Sequence, residues 1–243
     1  MKTIIVGIIQ ARMGSTRFPG KMKARLGGIP LIEWVIRRTK QSALLDKIVL
    51  ATSRATENDY LEEVALKWGV DVFRGDENNI LSRFISVVAK TNADIVVRIC
   101  GDNPFICAPE IDRVVQLYLD QRPDYAFNHI PCLYNNYIDG LGAEVLSSEL
   151  LLNIEKSTND PRHLEHVTIY LWDNFADYKI ATLKAPEQYS HPEIILDVNT
   201  QDDLLYLENH LLDSSERDIK PESYDVSALI NKIISHRDKS IAR

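Results

Sequence analysis

One stretch of the chain concentrates groups able to hold a polyanion. Arg12, Arg17, Lys21, Lys23 and Arg25 lie between Gln10 and Arg25, with no acidic residue among them. Guanidinium and ammonium groups grip phosphate oxygens, and arginine does so bidentately. Gly14, Ser15, Thr16 and Gly20 let backbone N–H groups approach a ligand closely. The set suits a triphosphate. It matches neither of two common phosphate loops. Gly14 to Gly20 encloses one residue too many for G-x-x-x-x-G-K-[ST], Met22 stands where Ser or Thr would ligate Mg²⁺, and there is no G-x-G-x-x-G. A solvated basic loop would carry the same charges. The apolar run before it, and the coincidence of small and basic residues, argue against that reading. The second chemically loaded position is Asp102, in Gly101-Asp102-Asn103-Pro104. Mg²⁺ takes oxygen ligands and keeps several waters, so one or two carboxylates plus phosphate suffice. An Asp before Asn-Pro also caps a turn readily.

Elements must bring these two segments together. Residues 3–9, 47–52, 70–73, 94–99 and 125–127 read as strands, alternating with helices over 30–41, 57–68, 79–90 and 110–120. Strands separated by helices of this length pair in parallel through right-handed crossovers and are covered on both faces. The expected fold is a three-layer, Rossmann-like α/β arrangement with a mostly parallel sheet. Its ligands sit beyond the carboxyl ends of the strands, at the loops after Ile9, Thr52 and Ile99. Residues 129–142 lack periodicity and read as an irregular excursion. Helices are expected over 144–154, 161–174 and 202–212, strands over 178–183 and 194–198, and a polar tail from Ser214.

Gln10-Ala11-Arg12-Met13-Gly14-Ser15-Thr16-Arg17-Phe18-Pro19-Gly20-Lys21 resembles the signature loop of the cytidylyltransferase family that contains spore coat polysaccharide biosynthesis proteins of the SpsF type. It is also similar to the A-R-x-x-S-T-R-x-P-G-K pattern of CMP-Kdo synthetases. The resemblance continues through Ala51-Thr52-Ser53, Val72 to Asp76, Ile80 to Phe84, Arg98 to Pro104, Gly140 to Val145, Glu165 to Thr168 and Leu196 to Leu204. It implies a nucleotide-diphospho-sugar transferase-like fold. It also implies transfer of CMP from CTP to a small sugar or sugar acid with release of pyrophosphate, in surface polysaccharide or glycoconjugate synthesis. Arg12, Ser15 and Lys21 would hold the triphosphate with Arg17 beside them, and Gln10 and Ala11 would line the base pocket. Gly14, Thr16, Thr52, Ser53 and Gly101 complete the implied nucleotide contacts, while Arg12, Lys21 and Asp102 carry the catalysis. Arg74, Asp76 and Arg83 either orient the nucleotide or form an ion-pair network.

The resemblance makes Asp102 the Mg²⁺ ligand of an R-x-x-G-D-x-P motif. The second ligand is less regular. CMP-Kdo synthetases carry V-D-T-P-E-D-L there, whereas this chain has Asn199 at the Asp position and Gln201 at the Pro. A neutral Asn carbonyl binds the ion less strongly, and Asp197, two residues back on the same face of the expected strand, is the alternative. Arg98, Glu144, Glu165 and His166 fall in stretches resembling the acceptor region. His163 and His166 are three apart on an expected helix, but a zinc site would need further ligands. Tyr134, Asn135, Asn136 and Tyr137 either line the same cavity or stand exposed. A homodimer is expected from the resemblance alone. Within the same class, ATP, GTP or UTP in place of CTP, or a phosphorylated or phosphonate acceptor, is the alternative; two rival readings stand outside it. A sugar-transferring enzyme of the related type would display D-x-D, and Asp102 is instead followed by Asn103-Pro104. A non-enzymatic nucleotide binder would not need the basic loop and Asp102 together.

Composition narrows the rest. A chain of 243 residues with 45% hydrophobic content can bury a full core without disulfide or metal staples. It is expected to form one nucleotidyltransferase domain over 1–243: mainly nucleotide-binding over 1–128, acceptor and second-metal functions over 129–212, a tail over 213–243. The net charge of −7 disfavours nucleic acid as a partner. Cys100, Cys107 and Cys132 form no C-x-x-C pair, and nothing calls for an oxidising compartment. The apolar opening after Lys2 runs into Gln10-Ala11-Arg12 without a cleavage site, so it reads as a strand rather than a signal. No run reaches the ~18 apolar residues of a membrane helix. A cytoplasmic location is expected.

Overall fold

The computed structural model describes residues 2–211 and 219–241. In chain order its strands are β1 (Ile5–Gln10), β2 (Arg25–Leu26), β3 (Ile29–Pro30), β4 (Lys47–Ser53), β5 (Asp71–Gly75), β6 (Ile95–Cys100), β7 (Tyr125–Phe127), β8 (Glu144–Ser147) and β9 (Ile180–Thr182). Its helices are α1 (Leu31–Thr39), α2 (Asp59–Lys67), α3 (Ile80–Thr91), α4 (Ala108–Gln121), α5 (Ser148–Ser157), α6 (Pro161–Glu165), α7 (Ile169–Asp173), α8 (Gln201–Leu211) and α9 (Val226–Ile241).

β1 is apolar on both faces because both faces are covered. Ile5 and Ile9 pack into a core shared with Ile32 and Val35 of α1, Leu61 of α2 and Ile111 of α4. Val6 and Ile8 pack into a second core with Leu81 and Phe84 of α3 and Leu151 of α5. The result is the expected three-layer, Rossmann-like arrangement. The main sheet runs β5-β4-β1-β6-β8-β7-β9, with β2 and β3 forming a separate hairpin. β1 pairs in parallel with β4 and β6, so their carboxyl ends open on one edge. No helix among the described residues is long and apolar enough to cross a membrane.

Four expectations are corrected. Residues 144–147 form β8, not the start of a helix, and α5 begins only at Ser148. β8 inserts antiparallel between β6 and β7, with Glu144 opposite Arg98. A short apolar run fits either state, and the vacant slot in the sheet decides it. Residues 161–174 split into α6 and α7, separated at His166–Thr168. Residues 194–198 are not a strand. They make one bridge, Ile195 to Asp139, and otherwise clamp neighbouring loops: Leu196 N donates to Asp139 O at 3.0 Å and Val198 N to Asp102 O at 2.9 Å. The polar tail contains α9, whose Val226, Leu229, Ile230 and Ile233 are buried beside Leu204 and Leu207 of α8. Their i, i+3, i+4, i+7 spacing is helical, but it is diluted by polar neighbours.

A close backbone approach sits beside the strand ends. Gly101 N donates to Gln10 O at 2.9 Å, and a Cβ on Gly101 would lie 2.7 Å from that oxygen and 2.8 Å from Ala11 Cβ. Backbone cannot swing aside as a side-chain tip can. Gly101→Ala is expected to cost about 1–3 kcal/mol through overpacking, read as a lower urea midpoint. An unchanged midpoint would mean that this contact is not a constraint.

Candidate active site

β1 and the segment after it build one wall. Beyond Gln10 the chain leaves the sheet, and Met13 N donates to Asn58 Oδ1 at 2.8 Å. Asn58 Nδ2 in turn donates to Ser53 Oγ at 2.7 Å, so the end of β4 anchors the basic loop. Gly20 takes a left-handed φ of 73°, which favours glycine. The turn at Lys21–Lys23 then buries the Lys21 stem, leaving that residue 7% exposed. The opposite wall is the turn after β6. Lys21 Nζ and Asp102 Oδ2 meet there at 2.9 Å.

Between these walls lies a cavity of about 400 Å³. It gathers Gln10, Ala11, Arg12, Gly14, Ser15, Thr16, Arg17, Lys21, Arg83, Arg98, Asp102, Glu165 and His166 from the expected set. Met22, Ile80 and Cys100 line it as well. Sequence reasoning missed these three because apolar and thiol side chains carry no chemical signature. Gln10, Arg98 and Cys100 reach the cavity because alternate positions on β1 and β6 share a face.

Other expected residues lie elsewhere. Arg74 bonds Asp59 at 2.6 Å, Glu62 at 2.8 Å, and the Ser53 and Ala55 carbonyls, which is the ion-pair network reading. Asp76 accepts from the Asn78 and Asn79 N–H groups at 2.9 and 2.8 Å. It lines a separate, more open hollow with Ser53 and Glu77. Thr52 is fully buried and does not line the cavity. Gly101 acts through its close backbone approach. Glu144 is 1% exposed and does not line the cavity. It binds Arg98 Nη1 and accepts from Tyr125 OH at 2.5 Å, while Arg98 Nε donates to Gln10 Oε1 at 3.0 Å. Glu144 therefore aims Arg98 rather than facing the cavity. His163 is tied to Thr158 and Asp173, with no metal-ligand cluster around it among the described residues. Tyr134 is exposed, while Asn135 and Tyr137 are buried structural groups outside the cavity.

Asp197 and Asn199 stand beside the Asp102 turn. Arg17 Nη2 donates to Asn199 Oδ1 at 2.7 Å, and Asn199 Nδ2 donates to Asp197 Oδ2. The excursion adds a carboxylate that sequence reasoning overlooked, Asp139. Burial, then the neighbouring Asp197 and Asp102 charges, push its carboxyl up to about 6. Burial and Asp102 likewise raise Asp197. The Asp139-Gly140 pair, with Gly140 at φ 93°, was the available turn signal. Crowded carboxylates of this kind fit a divalent cation. Among the described residues no three His, Cys, Asp or Glu side chains converge as a ready cage. The fit is to an ion held by one or two protein oxygens and completed by phosphate and water, as Mg²⁺ accepts.

Arg83 is 1% exposed yet lines the cavity. Its Nη1 donates to Ala51 O at 3.3 Å, while Nε and Nη2 have no partner. Burial pushes the guanidinium down to about 10, which leaves it charged at neutral pH. Buried donors without acceptors are costly, and here they form the side-on fork of an arginine.

His129 lies next to the Arg98–Glu144 pair, 3.8 Å from Glu144 Oε2. Burial, then the Arg98 charge, push its ring from 6.5 down to about 3, so the contact is that of a neutral ring rather than a salt bridge. The unfolded chain takes up this proton near pH 6.5 and the folded chain only near 3. Stability is therefore lost as pH falls through that window. His129→Gln should flatten the fall of Tm between pH 6.5 and pH 4. An unchanged slope would remove His129 as a source of acid sensitivity.

Comparison with known proteins identifies the family. The sequence profile of the family described as cytidylyltransferase matches residues 6–215. The spore coat polysaccharide biosynthesis protein SpsF of Bacillus subtilis is 36% identical over 204 residues, 82% of each chain. The 3-deoxy-manno-octulosonate cytidylyltransferase of Bdellovibrio bacteriovorus is 37% identical over 118 residues, 48% of this chain and 46% of that one. A solved cytidylyltransferase from Leptospira borgpetersenii superposes with a TM-score of 0.85 at 28% identity, over 98% of this chain and 96% of that one. A cation-lined cavity facing Asp102, on a Rossmann-like sheet and in a sequence with these relatives, places the chain in the cytidylyltransferase family, as a nucleotidyltransferase enzyme.

Proposed function

We propose that the enzyme transfers CMP from CTP to a hydroxyl of a small sugar or sugar acid, releasing pyrophosphate, and that the product serves surface polysaccharide synthesis. The observation that carries the choice of nucleotide is Arg83, which lines the cavity and whose buried Nε–Nη2 fork has no partner. Two parallel donors demand two adjacent acceptors. Cytosine offers O2 and N3. Uracil alternates acceptor with donor along that edge, as adenine does along its own. Guanine offers O6 and N7, but the family likeness favours cytosine.

In this reading Arg12, Arg17 and Lys21 neutralise the triphosphate, with Ser15 and the Gly14 and Thr16 backbone beside them. The acceptor oxygen attacks the α-phosphorus in line, and the bond to the pyrophosphate oxygen breaks. Lys21, nearest Asp102, meets the charge that develops there. Asp102 would hold Mg²⁺ with Asp197 or Asn199, and the ion would supply charge neutralisation on the phosphates. Positioning and electrostatics then carry the rate. Arg98, held by Gln10 and Glu144, lies with Glu165 and His166 on the acceptor side. The likeness to SpsF supports the polysaccharide role.

Pyrophosphate release should be measured with the four nucleoside triphosphates against 3-deoxy-ulosonic acids, sialic-type acids and sugar phosphates. CTP with one of the acids or sugars is expected to turn over. Asp102→Ala should lower that rate by at least ~100-fold with an unchanged circular dichroism spectrum, as loss of one strong electrostatic contact does. Normal turnover by this variant would refute the site. Arg83→Gln should reduce discrimination between CTP and UTP by about 10–100-fold, the worth of one bidentate base contact. Unaltered discrimination would take Arg83 out of base reading.

A further inference from the structure

Each cation of the basic loop that lines the cavity has a partner within the chain. Lys21 holds Asp102, and Arg17 holds Asn199. Arg12 is different, because it reaches across the cavity. Its Nη1 donates to Glu77 O at 2.9 Å, and its Nη2 donates to Glu165 Oε1 at 2.8 Å. Arg12 follows β1 on the phosphate side, whereas Glu165 ends α6, next to His166, on the other side. Both line the same cavity. The carboxylate thus occupies a guanidinium edge that a phosphate oxygen would use.

The backbone carrying Glu165 is fixed independently of this contact. His163, on the same short helix, is bonded to Thr158 Oγ1 at 2.7 Å and to Asp173 Oδ2 at 2.9 Å. Asp160 Oδ1 accepts from Arg162 N at 2.8 Å. Releasing Arg12 would free the side chain of Glu165 without unfolding α6. That side chain is 42% exposed, so neither charge is stranded by separation.

We infer that Glu165 is a positioning residue for the acceptor, stored on Arg12 until a triphosphate takes Arg12 over. Arrival of the nucleotide exchanges one guanidinium–carboxylate contact for a guanidinium–phosphate contact. The freed carboxylate then accepts a hydrogen bond from the acceptor hydroxyl and orients it for attack. The acceptor therefore presents a hydroxyl whose hold on Glu165 strengthens when the nucleotide is present. By linkage the acceptor must raise nucleotide affinity by the same factor. The inference rests on the nucleotidyl-transfer reading above.

The signature is a pair of effects of opposite sign. Removing the Glu165 charge removes a competitor for Arg12. Glu165→Gln should bind CTP, and inorganic tripolyphosphate as a base-free probe, about 2–5-fold tighter, the scale of a partly exposed ion pair. Calorimetry in the presence of Mg²⁺ reads this. The same variant should lose at least ~10-fold in kcat on the acceptor used by the wild type. Glu165→Ala should repeat both effects, and thermal melts confirm that the variants are folded. A purely structural role would weaken binding and turnover together. Binding by Glu165→Gln that is equal to or weaker than wild type overturns the exchange, and so does tighter binding with an unchanged kcat. A wild type that binds neither CTP nor tripolyphosphate instead overturns the nucleotidyl-transfer reading itself.

Discussion

Everything at the site depends on two parallel strands ending side by side. β1 and β6 are paired over their whole length, from Ile5–Ile95 to Gln10–Cys100. One further hydrogen bond, Gly101 to Gln10, carries the register past the last residue. A cationic loop and an acidic turn are thereby held within a single ion-pair length, Lys21 to Asp102, 81 positions apart in the chain. A side chain at position 101 would force the backbone to shift, so the approach is set by backbone against backbone and transmits little slack.

Charges gathered in this way need partners. The structure supplies them internally: Asp102 for Lys21, Glu165 for Arg12, Asn199 for Arg17. The acidic balance of the chain serves this arrangement, because a strongly positive cavity without counter-charge would destabilise the folded state. The partners are only half-buried, so exchange with a polyanion costs little. Arg83 and Arg98 are the exceptions. Arg83 is sealed in by packing and keeps an unsatisfied fork, while Arg98 is gripped by Glu144 and Gln10. The cavity thus joins a rigid floor to a basic wall able to change partners.

Supporting roles fall to residues with no chemistry of their own to advertise. Asn58 links Ser53 to Met13, tying the end of β4 to the basic loop. The segment around Leu196 and Val198 ties the Asp139 and Asp102 turns together through main-chain hydrogen bonds. α8 and α9 pack beneath that segment and close a third apolar core around Trp34 and Phe105. The carboxylates Asp139 and Asp197 lie close to Asp102 because of this clamp. Their raised carboxyl groups reflect that crowding.

Local sequence determined the elements whose signals are local. The apolar runs of β1, β4 and β6, the helical stripes of α1 to α4, and the basic loop with Asp102 were all legible, since each is read from neighbours along the chain. So was the direction in which to look, because parallel strands expose their carboxyl ends together. Tertiary structure decided whatever depends on partners distant in sequence. Val145-Leu146 became strand because β6 and β7 left a slot, and Glu144 went beneath Arg98 because the register placed them opposite each other. Arg74 turned outward to Asp59 and Glu62, while Arg83, a few residues on, turned into the cavity. Residue type alone does not separate those two arginines. Their elements do: Arg74 lies on the edge strand β5 beside α2, and Arg83 on α3 beneath the end of β4, and that placement is a property of long-range packing.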